Sequence, residues 1–157
     1  MLPPKTYRTV KQPLGSRLCG VAVCAMIVGR GMRYVLNRIG TVKHQDGKPY
    51  SRTRHVLEFL GGHGVVCGMI VDVSSRISAD MPLQFDASLR DRPSILSVRS
   101  ESFGGCYHYV FWDGQRLHDP NPQMNDLQPQ DYDIIEIIPL TYLDERPLKN
   151  NGDSQRK

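Results

Sequence analysis

The chain has 157 residues with a formal net charge of +4, and 39% of its residues are hydrophobic. This length and balance predict one globular domain with a core of its own, and they leave too few residues for two. The lysines and arginines are scattered rather than clustered, so we expect no nucleic-acid partner. No apolar run reaches the roughly 18 residues that a membrane span requires.

The N-terminal residues lack the apolar stretch of a secretory signal peptide. Cys19, Cys24, Cys67 and Cys106 are few for this length and include no C-x-x-C redox motif. We therefore expect reduced thiols in a cytoplasmic protein. We also expect no metal or other cofactor, and a monomer as the default state.

The first predicted elements are an extended arm over residues 1–11 and a helix over residues 17–29. Ser16 is the expected N-cap, which places Cys19 in the first helical turn, and Gly29 and Gly31 are two possible C-terminal stops. The helix prediction rests on one apolar stripe with helical spacing, formed by Leu18, Val21, Ala22, Ala25 and Met26.

Further along, the pattern predicts a short helix within residues 34–39 and a second one over residues 52–61, capped by Ser51. A helical turn is expected at 86–90, and strands are expected at 65–73, 94–98, 106–112, 115–118 and 134–139. Pro139 marks the end or the edge of the last strand. Helices early and hairpin-connected strands late predict an α+β fold over residues 1–143, followed by a disordered polar tail over 144–157.

Asp113-Gly114 is a strong signal for a two-residue hairpin loop. Counting outward from this loop places His108 opposite Asp119 on the neighbouring strand. Directly opposed residues share a face, with Cβ atoms about 4.5–5.5 Å apart. The turn therefore predicts a histidine beside a carboxylate, although such pairs also occur as simple surface ion pairs.

Cys19, His108 and Asp119 are the residue types of a nucleophile, its base and the group that orients the base. The positive end of a helix favours a thiolate at Cys19. Gln12, a short loop upstream, carries an amide N–H that can stabilise a developing oxyanion. Cys24 lies deeper in the helix and is expected in the core, which is also the ordinary place for a helical cysteine such as Cys19.

In this order, Gln12, Cys19-Gly-Val-Ala22, His108-Tyr-Val110 and Asp119-Pro120 resemble the C39-type, bacteriocin-processing family of papain-like cysteine peptidases. The resemblance implies a papain-like fold, in which an N-terminal Cys-bearing helix packs on an antiparallel sheet carrying His and Asp. It implies Cys19 as nucleophile, His108 as base, Asp119 as orienting group and Gln12 as oxyanion donor beside the Cys19 backbone N–H. The implied substrate is a peptide or protein, and many relatives cut leader peptides after paired glycines.

Other functions remain open from the sequence. The same residues suit a glutamine deamidase or a transglutaminase-like acyltransferase, since these enzymes share the Cys-His-Asp apparatus. A non-catalytic binding module on the same fold is a further alternative, because a fold does not fix a function. Nucleic-acid binding rests only on the net charge.

Overall fold

The computed structural model describes residues 3–4, 6–73, 91–100 and 107–143. These residues form a mixed α/β fold in which a helix packs on an antiparallel sheet, as the sequence predicts at this level. The described helices are α1 (Cys19–Val28), α2 (Met32–Leu36) and α3 (Thr53–Gly62). The helical turn expected at 86–90, Cys106 and the expected tail over 144–157 lie outside the described residues.

The described strands form one large sheet and one small ribbon. The strands are β1 (Val42–Lys43), β2 (Pro49–Tyr50), β3 (Val65–Cys67), β4 (Val71–Asp72), β5 (Ser94–Arg99), β6 (Tyr107–Trp112), β7 (Leu117–His118) and β8 (Ile134–Tyr142). The large sheet has the order β3-β8-β5-β6-β7, and β4 also pairs with β8. Every pairing is antiparallel, and β1 and β2 pair only with each other among the described strands.

Helix α1 is buried on all sides rather than along one stripe. Every residue from Gly20 to Val28 is buried, as expected for a helix that is apolar all round. The helix packs against α2, α3 and β6. It ends at Gly29, the first of the two predicted stops, whose φ of 65° suits a left-handed C-cap.

The predicted start of this helix and its predicted cap are wrong. The helix begins at Cys19 with Leu18 at the N-cap position, and no side chain caps it. Ser16 instead closes a turn, in which its backbone N–H donates to the carbonyl oxygen of Pro13 at 3.0 Å. Cys19 is therefore the first residue of the helix.

The second long helix also begins one residue later than predicted. Arg52 occupies the N-cap position of α3. Ser51, the predicted cap, donates its hydroxyl hydrogen to the carbonyl oxygen of Gly40 at 2.9 Å. This contact fixes the chain just before α3, where it borders the cavity described below.

The two faces of the large sheet carry separate hydrophobic clusters. The larger cluster joins α1, α2 and α3 to one face and includes Val23, Ile27, Leu60, Phe111 and Ile138. The smaller cluster covers the other face and includes Leu96, Val98, Val110, Trp112 and Ile137. No helix within the described residues is long and apolar enough to cross a membrane.

Pro139 does not end the last strand, because β8 continues to Tyr142 and Pro139 pairs with Ser94 of β5. On the other side of β8, the edge of the sheet is formed by β3 and β4, and it is interrupted between them. Cys67 pairs with Leu140 but Val71 pairs with Ile137, so one extra residue is accommodated there. Proline cannot donate to a ladder, and a bulge in the neighbouring strand accommodates that gap.

The hairpin between β6 and β7 has a different register from the predicted one. Trp112 pairs with Leu117 and Phe111 with His118, so the two loop residues are Gly114 and Gln115. Gly114 has a φ of 99°, which favours glycine at this first loop position. The Asp113 carboxylate accepts the backbone N–H groups of Gln115 and Arg116 and thereby sets the turn one residue later.

Candidate active site

Cys19 is the first residue of α1, beside the place where this helix packs on α3 and β6. The next residue is Gly20, and a Cβ atom there would lie 3.2 Å from Cγ2 of Val56 and 3.6 Å from Cδ2 of Tyr109. The hydroxyl groups of Tyr109 and Thr53 also hydrogen-bond to each other. The glycine after Cys19 therefore has a packing reason, since a side chain would press on Val56 of α3 and leave no space before Tyr109 of β6.

His108 and Asp119 are in direct contact despite the changed register. Nε2 of His108 lies 2.7 Å from Oδ1 of Asp119, and both residues are buried. A shift of two residues leaves each side chain on its original face, which is why the predicted neighbours still meet. A carboxylate only accepts hydrogen bonds, so Nε2 carries the proton.

The surroundings of His108 favour its charged form. Burial alone would lower the pKa of this histidine, but the hydrogen bond with the Asp119 carboxylate and the proximity of the Cys19 thiol raise the pKa to about 9. The imidazole thus contacts Asp119 directly and lines the same cavity as Cys19. Since Nε2 faces Asp119, Nδ1 is the ring nitrogen left to serve Cys19.

Asp119 is held by more partners than the sequence suggested. The backbone N–H of Asn121 donates to Oδ1 at 2.7 Å, and the Tyr132 hydroxyl donates to Oδ2. Burial alone would raise the pKa of Asp119, but His108, Tyr132 and Asn121 together hold it below its ordinary value. The carboxylate is therefore ionised and fixed in orientation.

Gln12 lies in the same cavity as Cys19 and His108 and is only 3% exposed. Its Nε2 donates to the carbonyl oxygen of Ser16 at 2.7 Å, so the side chain also anchors the loop before α1. Its Oε1 is buried and has no hydrogen-bond partner among the described residues. Gln12 therefore lines the cavity that contains Cys19, and its amide N–H makes a loop contact that the oxyanion hypothesis did not include.

The N-terminal arm holds the loop that carries Asp119 through contacts that no sequence pattern predicts. Nζ of Lys11 donates to the carbonyl oxygens of Asp119, Asn121 and Met124 at 2.6–3.1 Å. The backbone N–H of Gln12 donates to the carbonyl oxygen of Pro120 at 2.9 Å. The two sides of the site are thus tied together behind the His108–Asp119 pair.

A cavity of about 550 Å³ opens in front of Cys19 and His108. Its described lining combines polar, cationic and aromatic side chains. They are Gln12, Arg17, Cys19, His44, Tyr50, Ser51, Arg52, Thr53, Tyr107, His108 and Tyr109. The volume is within the range of ligand sites and accommodates a few residues of an extended peptide.

A second His–Asp pair lies outside this cavity. Nε2 of His118 contacts Oδ2 of Asp113 at 2.7 Å, and Nδ1 contacts the Thr9 hydroxyl at 2.7 Å. The ring also stacks on Phe111, with centroids 5.7 Å apart. These contacts fasten the N-terminal arm to the hairpin.

The other described thiols have environments that suppress reactivity. Cys24 is completely buried in the core, as predicted, and burial raises its pKa far above the ordinary value. Burial also raises the pKa of Cys67 to about 11. Within the described part of the chain, no three His, Cys, Asp or Glu side chains are grouped as a metal site requires.

Comparison of the chain with known proteins identifies no match. No protein-family model matches the chain, and no curated protein and no solved structure matches it either. The likeness to C39-type peptidases therefore stays a hypothesis that rests on the residues quoted for it.

Proposed function

We propose that this protein is a papain-like cysteine peptidase of the C39 type, which hydrolyses a peptide or isopeptide bond through a thioester on Cys19. The observation that carries the proposal is the His108 ring, which contacts the Asp119 carboxylate and lines the same open cavity as the Cys19 thiol. A histidine that holds its proton up to about pH 9 is the partner that a Cys19 thiolate needs.

In the proposed reaction the Cys19 thiolate attacks the scissile carbonyl carbon and forms a C–S bond. The tetrahedral oxyanion accepts hydrogen bonds from the Cys19 backbone N–H and from Gln12. The C–N bond then breaks as His108 gives its proton to the leaving amine. Water next attacks the thioester, His108 takes a proton from it, and the acid product leaves while the thiolate is restored.

Asp119 acts through His108 in this scheme. Its carboxylate fixes the ring orientation and stabilises the imidazolium, with Tyr132 and Asn121 holding the carboxylate in place. Cys19 works as a free thiol, and a reducing compartment such as the cytoplasm suits that chemistry.

Mass spectrometry of a proteome-derived peptide pool tests the proposal. We expect new peptide termini with the native protein and none with Cys19→Ala or His108→Ala. Cys67→Ala is the matched control, because it removes a thiol that does not line the cavity. Conversion of glutamine to glutamate without chain cleavage would instead indicate the deamidase, and products that persist in Cys19→Ala would exclude Cys19 as the nucleophile.

A further inference from the structure

The described wall of the cavity carries basic side chains but no acidic ones. Arg17, His44 and Arg52 line it, whereas no carboxylate does among the described residues. Tyr50 and Tyr107 add aromatic surface, and Tyr107 is 65% exposed. A cationic wall beside a nucleophile raises the local concentration of anionic ligands.

Arg17 and His44 both already face a carboxylate within the protein. Nε of Arg17 lies 2.7 Å from Oδ2 of Asp46, and Nδ1 of His44 lies 3.3 Å from Oδ1 of the same carboxylate. These contacts, with the backbone N–H of Lys48, lower the pKa of Asp46 to about 2, so its charge persists at neutral pH. Asp46 therefore compensates much of the charge on this side of the cavity.

Arg52 is different, because it is exposed and takes part in none of the ion pairs found among the described residues. Its backbone is nevertheless fixed. It is the N-cap of α3, and its N–H donates to Nδ1 of His55 at 3.2 Å. The neighbouring Ser51 is anchored to Gly40. A hydrogen-bonded main chain thus holds Arg52 in the wall of the cavity.

From this arrangement we propose that Arg52 binds a carboxylate of the substrate near the scissile bond, so that the site selects acidic peptides. This inference rests on the proposed peptidase function and names its substrate class. A guanidinium presents two parallel N–H donors that match the two oxygens of a carboxylate. The carboxylate belongs either to an Asp or Glu side chain or to a free C-terminus, and the experiment separates these sources.

The first test does not require turnover. Cys19 is alkylated with iodoacetate, which is anionic, and with iodoacetamide, which is neutral, and the ratio of the two rates is measured by peptide mapping. We expect Arg52→Gln to lower this ratio by roughly threefold at low salt, because the local positive potential is lost. Arg54→Gln is the control, since Arg54 is an exposed arginine of the same helix that does not line the cavity.

Arg52→Lys separates charge from packing and should keep most of the native ratio. Equal ratios in Arg52→Gln and Arg54→Gln would overturn the proposal. A ratio lowered equally by Arg52→Lys and Arg52→Gln would also overturn it, because the effect would then not follow the charge.

The second test uses peptides and distinguishes this proposal from the peptidase proposal. Cys19→Ala protein is titrated with amidated peptides that differ only in Glu or Gln at one position, and with the same neutral peptides bearing a free C-terminus. We expect tighter binding of the acidic member of one series, and loss of that preference in Arg52→Gln. No preference in either series would refute the role of Arg52, whereas preference without cleavage by the native protein would refute only the peptidase activity.

Discussion

Tyr132 donates its phenolic hydrogen to Oδ2 of Asp119, the carboxylate oxygen opposite the one that contacts His108. Asp119 is thereby held from both sides, and the histidine it orients is held in turn. Burial, together with this bond to a negative group, raises the pKa of Tyr132 well above its ordinary value, so the phenol stays a donor. Tyr132 is a positioning residue for the proposed reaction rather than a catalytic one.

We therefore expect Tyr132→Phe to lower the free energy of unfolding by about 1–3 kcal/mol at neutral pH, the usual range for a lost hydrogen bond to a charged group. The pKa of Asp119 should rise, so acid unfolding should begin at a higher pH. Urea unfolding and an acid titration measure both effects. Tyr107→Phe is the control, since that side chain is 65% exposed, and equal changes in the two variants would contradict the role of Tyr132.

The contact between His108 and Asp119 was accessible from the sequence, but the contact of Tyr132 was not. A hairpin signal fixes which residues share a face, and this information survives a register error of two residues. Tyr132 reaches Asp119 only because the 3₁₀ turn Pro129–Asp131 places it there. No local pattern encodes a contact of that kind.

In the fold, too, local patterns predict some features, while contacts between distant parts of the chain determine others. The apolar run of α1 predicts a helix, and Gly29 predicts its end, because both signals are local. Full burial of α1 depends on three other elements closing around it. Pro139 was misplaced because the bulge between β3 and β4, which accommodates its missing donor, lies about 70 residues away in the chain.

Stability should depend on pH through His108. The pKa of His108 in the folded protein, about 9, exceeds the ordinary value near 6.5. The His108–Asp119 pair therefore contributes its full stabilisation below about pH 6.5, and this stabilisation is lost as the pH rises toward 9. We expect the free energy of unfolding to fall by roughly 2–4 kcal/mol over this range. Asp119 acts in the opposite direction, because its lowered pKa gives stability that is lost in acid.

Chemical denaturation at pH 6, 7.5 and 9 measures how steeply the free energy of unfolding falls with pH. The same series on His108→Gln is the reference, because the remaining histidines titrate in both proteins. The difference between the two slopes isolates His108. Parallel slopes would show that His108 has an ordinary pKa in the folded protein.

Two of the helical glycines, Gly20 in α1 and Gly61 in α3, should respond oppositely to alanine. A Cβ at Gly20 would lie 3.2 Å from Cγ2 of Val56, whereas nothing lies within 4 Å of a Cβ at Gly61. Gly61→Ala should therefore stabilise α3 by about 0.5–1 kcal/mol through helix propensity. Gly20→Ala should lose about 1 kcal/mol despite the same propensity gain, because overpacking costs about 1–3 kcal/mol.

Melting temperatures of the two variants test this contrast, and alkylation of Cys19 extends it to the site. We expect slower alkylation in Gly20→Ala only, because a displaced α3 alters the surroundings of the thiol. A stabilised Gly20→Ala protein would mean that Val56 yields without strain, and the packing reason for the Cys-Gly sequence would then fail.

The final prediction concerns Gln12, whose side-chain amide is either a loop anchor or an oxyanion donor. Its Nε2 bonds the Ser16 carbonyl, which stabilises the loop, while its Oε1 is buried without a partner among the described residues. Losing the bond costs about 1 kcal/mol, and removing the unsatisfied oxygen returns about 1–3 kcal/mol. Gln12→Met, an unbranched apolar replacement of similar length, should therefore change the free energy of unfolding by less than about 2 kcal/mol.

Activity should respond much more strongly than stability. If the Gln12 amide moves to the oxyanion during the reaction, Gln12→Met should lower kcat by about 10²–10³ with KM little changed, because the donor bonds the tetrahedral intermediate better than the planar carbonyl. Ser16→Ala is the control, since it keeps the backbone carbonyl that accepts from Gln12 and removes only the weaker hydroxyl contact at 3.4 Å. Measuring kcat and melting temperature on the same preparations decides between the roles. An unchanged kcat beside a lowered melting temperature would make Gln12 a loop anchor, and the Cys19 backbone N–H would then need another partner in the oxyanion site.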